Sequence, residues 1–274
     1  MKEQFPRSVD LPAQSPAFWV EQKDRYLRQL LIRDIELITN RRLVVYFANR
    51  FESAQIEPRD CALFAELLGD VGDEPVDILL ETIGGFTDAT ESLVRLIQNT
   101  VKNLRVIVAN SSKSNGTLLC LAANSIVMGA TSELGPIEPQ LNNIPCSILV
   151  EPQIAAQNFA LHMAGKFSLQ QTKSLAKFLL IKGMMSDDIQ RVDDTVHKLS
   201  SRDVYFSHGS AIDHSEAASL GLKIEYLPPT NELWKRIWLL YCMYDFDSRK
   251  SRLLKVFEGK SRSTAIAAPP VAAP

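Results

Sequence analysis

Ser114 stands in the stretch Val108-Ala-Asn-Ser-Ser-Lys-Ser-Asn-Gly-Thr-Leu-Leu-Cys-Leu-Ala-Ala-Asn-Ser-Ile-Val-Met-Gly129, whose residue types are those of an activated nucleophile. An apolar strand over 104–109 runs into a short polar turn, a small-residue helix starts near Gly116, and a second strand covers 125–128. At such a strand-to-helix junction a serine hydroxyl is exposed. The first N–H groups of the helix lack intrahelical partners and point toward it. Acyl transfer needs that setting, because the oxyanion that develops on the attacked carbonyl requires preorganised donors. Upstream, Asp77-Ile-Leu-Leu-Glu-Thr-Ile-Gly-Gly-Phe-Thr-Asp88 repeats the layout of buried strand, glycine turn and helix. The two junctions together point to one active site. Each also has a structural reading: an N-cap for Ser114 and a tight turn with positive φ for Gly84-Gly85.

The elements that must position these junctions follow from composition and periodicity. With 274 residues and 46% hydrophobic content, the chain can bury one large core. Lys+Arg 30 against Asp+Glu 32 leaves a net charge of −2, without the basic footprint of a nucleic-acid partner. Cys61, Cys120, Cys146 and Cys242 show no metal-type spacing and read as reduced thiols, so no metal and a cytoplasmic location are expected. The N-terminus lacks the apolar core of a signal peptide. No run reaches the roughly 18 to 20 apolar residues of a spanning helix. Any membrane contact is expected to be peripheral at most, through Phe18-Trp19.

Strand and helix alternate with short connections, which predicts a parallel α/β sheet. The expected organisation is a flexible N-terminus over 1–16, a main domain over 17–227 that opens on an amphipathic helix (17–39), a C-terminal helix over 228–260, and a disordered tail over 261–274. Within the main domain the pattern predicts strands at 42–48, 76–81, 104–109, 125–129 and 223–227. Helices are predicted at 60–68, 88–100, 116–124, 154–166, 168–182, 186–199 and 215–221.

The ordered set of motifs resembles the serine dehydrogenase proteinase family of the Clp/crotonase superfold, related to signal peptide peptidase A and the Clp protease. The likeness rests on Gly84-Gly85 before a helix, Lys113-Ser114-Asn115-Gly116-Thr117, Ile126-Val-Met-Gly129, Leu134-Gly-Pro-Ile-Glu-Pro-Gln140, and His208 with Ile212, Glu216-Ala217 and Leu220-Gly-Leu222. It spans roughly residues 40 to 226. It implies an α/β spiral of repeated strand-turn-helix units with flanking N- and C-terminal helices, a homo-oligomer, and a peptide or protein substrate without a cofactor. It also implies Ser114 as nucleophile and the Gly85 and Asn115 amides as oxyanion hole. The signal peptide peptidases use a downstream lysine as base, which nominates Lys166, with Lys173 and Lys177 next. Glu138 stands where the Clp protease has its histidine, and His208 matches a histidine typical of the family; both remain alternatives for the base. His162, His197 and His214 carry no specific signal.

The expected function is an ATP-independent serine peptidase working through a Ser-Lys-type dyad. Asn115 and Ile83 replace the small residue and the proline usual in the family, which keeps a catalytically inactive scaffold open as the alternative. A crotonase-type acyl-CoA enzyme is the third reading. Ser132-Glu-Leu-Gly-Pro-Ile-Glu138 is similar to the segment carrying the crotonase glutamate, but no second carboxylate stands near Leu118 or Leu119.

Overall fold

Arg42-Leu-Val-Val-Tyr-Phe-Ala48 is apolar at almost every position because both faces of its strand are covered. Val44, Tyr46 and Ala48 join one buried cluster, while Leu43, Val45 and Phe47 join another on the opposite face. The computed structural model describes residues 15–69 and 71–270. Its strands are β1 (Arg42–Ala48), β2 (Val76–Glu81), β3 (Leu104–Val108), β4 (Ser111–Ser112), β5 (Ser125–Met128), β6 (Glu133–Leu134), β7 (Gln140–Leu141), β8 (Ile144–Pro145), β9 (Ile224–Tyr226), β10 (Leu253–Glu258) and β11 (Ser263–Ala267). The helices are α1 (Pro16–Glu21), α2 (Lys23–Thr39), α3 (Asp60–Leu68), α4 (Thr87–Thr100), α5 (Asn115–Leu121), α6 (Cys146–Leu149), α7 (Pro152–Gln157), α8 (Phe159–Lys182), α9 (Ile189–Ser200), α10 (His214–Ser219) and α11 (Glu232–Lys250).

The main sheet has the order β11-β10-β1-β2-β3-β5-β9. From β1 to β9 all neighbours are parallel, and β10 and β11 add antiparallel strands at the β1 edge. Parallel pairing with helices on both faces explains the near-continuous apolar runs. The helices α4, α5, α8 and α9 supply the first cluster, and α2 and α11 the second. This is the parallel α/β sheet that the alternation of strand and helix predicts, with helices flanking it at both chain ends.

Three expectations are corrected. The C-terminal helix does not run to residue 260: it ends at Lys250, Arg252 adopts φ 49°, and Leu253–Glu258 returns as β10. The segment over 261–274 is not uniformly disordered, because Ser263–Ala267 pairs with β10; residues 271–274 lie outside the described residues. The expected break between helices at 166–168 is also absent. The α8 helix passes straight through Gly165, where an added Cβ would stand 2.7 Å from Leu149 Cβ. There the glycine permits close helix packing rather than a helix end. Of the expected flexible N-terminus, residues 1–14 lie outside the described residues, and Pro16 already opens α1 behind the Ser15 cap.

Candidate active site

The β2 and β3 strands end side by side, and the chain leaves each through a turn that ordinary backbone geometry disfavours. Ser114 has φ 53° and ψ −119°, a conformation that costs a non-glycine residue of order 1–3 kcal/mol and persists only where its surroundings enforce it. Those surroundings are explicit. Lys113 N–H donates to Thr82 O (3.0 Å), Thr82 N–H donates to Ser111 O (3.1 Å), and Gly116 N–H closes the turn on Lys113 O (2.7 Å). Behind the turn, the single Thr117 Oγ1 proton lies within reach of Ser112 O (2.9 Å) and Gly135 O (2.8 Å), and the oxygen accepts from Gly135 N–H (3.1 Å). Ser114 occupies the N-cap position of α5, yet its hydroxyl makes no capping bond. The simplest structural role for this serine is therefore not the one it plays.

Gly84 and Gly85 have φ 103° and 157°. A Cβ on Gly84 would lie 2.8 Å from Ser114 Cβ, so its absence lets the glycine turn abut the serine turn. The Asn115 N–H is the first of its helix and has no intrahelical acceptor. The Gly85 N–H lies between two bonds that leave it unused: Ile56 N–H to Gly84 O (2.8 Å) and Phe86 N–H to Ile56 O (2.9 Å). The two amides expected to form an oxyanion hole thus sit on adjoining turns. The Asn115 side chain turns toward the glycine turn. It is 7% exposed, and its Nδ2 donates to Gly85 O and to Thr87 Oγ1 (3.3 Å), tying one turn to the other.

Lys113, one residue before the serine, is half-buried, and burial lowers its pKa against the opposing pull of Glu133. Its Nζ donates to Leu134 O (3.1 Å) and Ser210 O (3.0 Å) and pairs with Glu133 (3.1 Å), which engages all three ammonium protons. Lys113 therefore straps the serine turn to β6 and to the segment before α10, which Leu134 and Ile212 join again by an antiparallel bridge.

His208 lies two residues before Ser210, on the segment that this strap holds. Its Nδ1 is enclosed and has no hydrogen-bond partner among the described residues. Burial lowers its pKa, Glu138 opposes the shift, and Arg202 and Lys113 add to it. Glu138 is buried and its Oε1 accepts from Ser147 N–H (3.0 Å). The Cys146 thiol is pushed to about 11 by burial and by Glu138, so it is no nucleophile at neutral pH. By contrast Lys166, Lys173 and Lys177 are exposed on α8, and Lys177 pairs with Asp193 at 2.6 Å. The residues that sequence patterns missed, Ile56, Thr82 and Lys113, act through contacts distant along the chain or through the backbone, which no local spacing encodes.

Among the described residues no helix is long and apolar enough to cross a membrane. An uncharacterized protein of Methanocaldococcus jannaschii, MJ0137, is 35% identical over 79 residues, 29% of this chain and 28% of its own length. A second from the same organism, MJ1495, is 23% identical over 158 residues, 56% of this chain and 52% of its own. The chain therefore aligns with about half or less of the length of these curated relatives. An asparagine-to-aspartate variant of ClpP1 from Listeria monocytogenes superposes with a TM-score of 0.48 and 13% identity, covering 76% of this chain and 99% of that one. The family model for ClpP-like SDH-type serine proteinases matches residues 54–246, which include both glycines, Ser114, Glu138 and His208. With most of its length matched, the chain belongs to the ClpP-like SDH-type serine proteinase family.

Proposed function

We propose that the protein is a serine peptidase. The carrying observation is the strained Ser114 turn, held against Gly84-Gly85 with its hydroxyl unused and two backbone amides beside it. Ser114 Oγ attacks the carbonyl of a peptide substrate, its proton passes to a base, and the Gly85 and Asn115 N–H groups hold the oxyanion. The C–N bond then breaks, the amine leaves with the proton, and water releases the acyl group by the same steps in reverse. We take the activity to be ATP-independent, as expected from the sequence.

For the base, the sequence resemblance nominates Lys166 in a Ser-Lys dyad. A lysine acts as a base when burial keeps it neutral, and Lys166 is exposed. His208 supports a second reading, favoured by its enclosed and unpartnered Nδ1 and by the facing Glu138. In that reading Glu138 steadies the cationic form of the imidazole through its charge. Self-assembly, expected from the sequence, would be sought on the outer faces of α2 and α11, where Leu37, Ile38, Leu239 and Phe246 are exposed.

The test is intact-mass analysis after treatment with a fluorophosphonate, comparing the wild type with Ser114→Ala. One adduct that disappears in the variant is the expected result. A folded wild type without an adduct sinks the peptidase reading and leaves the scaffold.

A further inference from the structure

The match to the family ends at residue 246, so the β10–β11 hairpin lies beyond it. One lysine of that hairpin nevertheless reaches toward the active site. Lys255 is 0% exposed, and its Nζ lies 2.8 Å from both carboxylate oxygens of Asp60 and 2.5 Å from Glu57 Oε1. Asp60 is equally buried, and its Oδ2 accepts from Tyr46 Oη (2.6 Å) and from the Glu57 N–H (2.9 Å). The cluster thus fixes Glu57 through its backbone and its side chain together. The preceding residue, Ile56, makes the two backbone bonds that flank Gly85. The approach is so close that a Cβ on Gly85 would stand 2.3 Å from Ile56 N and O. Moving Ile56 therefore turns the Gly84–Gly85 peptide, whose N–H is the proposed oxyanion donor.

We propose that Lys255 is a positioning residue of the oxyanion hole: with Asp60 and Glu57 it locks the segment 54–57, and that segment sets the orientation of the Gly85 N–H. This rests on the peptidase reading above. Stability alone is a weak reason for burying such a charge, because an ion pair removed from water gains little over well-packed apolar side chains. The same hairpin already has a second buried anchor that does not touch the 54–57 segment. Glu258 holds Arg28 (2.7 Å) and Tyr244 Oη (2.5 Å), and Arg28 also pairs with Asp247. This second cluster supplies the control.

The experiment measures fluorophosphonate inactivation of the full chain, separating the maximal rate from the half-saturating concentration, with melting temperature recorded for each variant. Lys255→Met is expected to lower the maximal rate about tenfold or more, the loss expected when a transition-state donor is misaligned, and to leave half-saturation unchanged. Glu57→Gln, at the partly exposed rim of the cluster, lowers it by a smaller factor and decides the matter if Lys255→Met does not fold. Arg28→Met loses melting temperature yet keeps the wild-type rate. A wild-type rate in Lys255→Met or, failing that, in Glu57→Gln overturns the proposal, as does a rate in Arg28→Met that falls in step with stability. A wild type that forms no Ser114 adduct overturns the peptidase reading and this proposal with it, whereas a labelled wild type beside unaffected variants overturns this proposal alone.

Discussion

Strand β2 carries a buried carboxylate at each end, Asp77 near its start and Glu81 at its finish, and their surroundings are opposites. Asp77 receives two guanidiniums: Arg41 Nε at 2.5 Å and Arg105 at 2.7 Å, with Arg105 also reaching Glu225 at 2.8 Å. Among the described residues Glu81 has no ion-pair partner. Its oxygens accept from Ser111 N–H (2.9 Å) and Asn110 Nδ2 (3.1 Å), and burial pushes its pKa up to about 7 against those two bonds and the field of Arg50. Positive-φ residues occur at both ends, at Asn40, Gly72 and Gly221 before strands and at Gly84, Gly85 and Ser114 past the carboxyl ends, where the glycine turn abuts the serine turn. Open α/β sheets bind ligands at that end. The amino end of β2 balances its buried charge, while the carboxyl end holds the strained serine turn and an acid without an ion-pair partner among the described residues. The predictions that follow test whether chemistry and stability divide along that line.

The largest effect belongs to the base at the carboxyl end. His208→Ala is expected to slow Ser114 labelling by about 10²–10⁴-fold, the usual contribution of a positioned base, while Lys166→Ala leaves it near wild type. The pH profile distinguishes the same two readings. A base works when neutral, and burial lowers the His208 pKa from 6.5. Labelling through His208 therefore holds at neutral pH and declines only as the pH drops below the ordinary histidine range. Labelling through a lysine base would instead show a rise on the alkaline side. An alkaline rise abolished by Lys166→Ala would restore the dyad.

At the amino end the loss should fall on stability alone. Asp77→Asn leaves two guanidiniums short of their partner, and breaking a buried pair costs about 3–5 kcal/mol. Denaturant unfolding should show that loss, and labelling per folded molecule should match the wild type. A labelling defect in the folded variant would erase the division between the ends.

Glu81 gives a smaller effect of distinctive shape. Its folded pKa of about 7 exceeds the ordinary 4.5, so the native state holds the proton more tightly than the unfolded chain. Stability from this group is fully present below about 4.5 and is lost as the pH rises through about 7, in total about 3 kcal/mol. Unfolding free energies measured between pH 5 and 8 should decline in the wild type. Glu81→Gln, which keeps the neutral state at every pH, should flatten that decline. A wild type already flat across the window would mean that Glu81 is compensated as Asp77 is.

Much of the carboxyl end could be read in the chain because its parts are local. A buried run, a glycine pair and a serine elbow each occupy consecutive residues, so Ser114, Gly84 and Gly85 stood out before any contact was known. The hairpin did not, because the aromatic periodicity of 234–244 suggested a helix running on past Arg252. What ends the helix is a single residue at positive φ followed by pairing of β10 with β1, more than 200 residues earlier. His208 was visible only through family likeness. Its place beside Glu138 depends on the Lys113 strap and the Leu134–Ile212 bridge, neither of which leaves a spacing to find.

Asn115 is the residue on which the division between the two ends can be drawn most finely, since it replaces the small residue usual in the family yet bonds to the glycine turn. Its backbone N–H belongs to the proposed hole, and its side chain holds the Gly85 carbonyl from the opposite side to Ile56. Asn115→Ala keeps the backbone donor and removes only the side-chain tie. The expected outcome is a fall in the maximal labelling rate of about tenfold, near 1.4 kcal/mol in the barrier, with half-saturation and melting temperature little changed. Asn115→Asp separates alignment from bulk: it keeps the volume but sets a carboxylate against the Gly85 carbonyl, and should cost more than alanine. If both variants label like the wild type, Ile56 alone aligns Gly85, and the departure at 115 is neutral rather than a second means of holding the oxyanion donor.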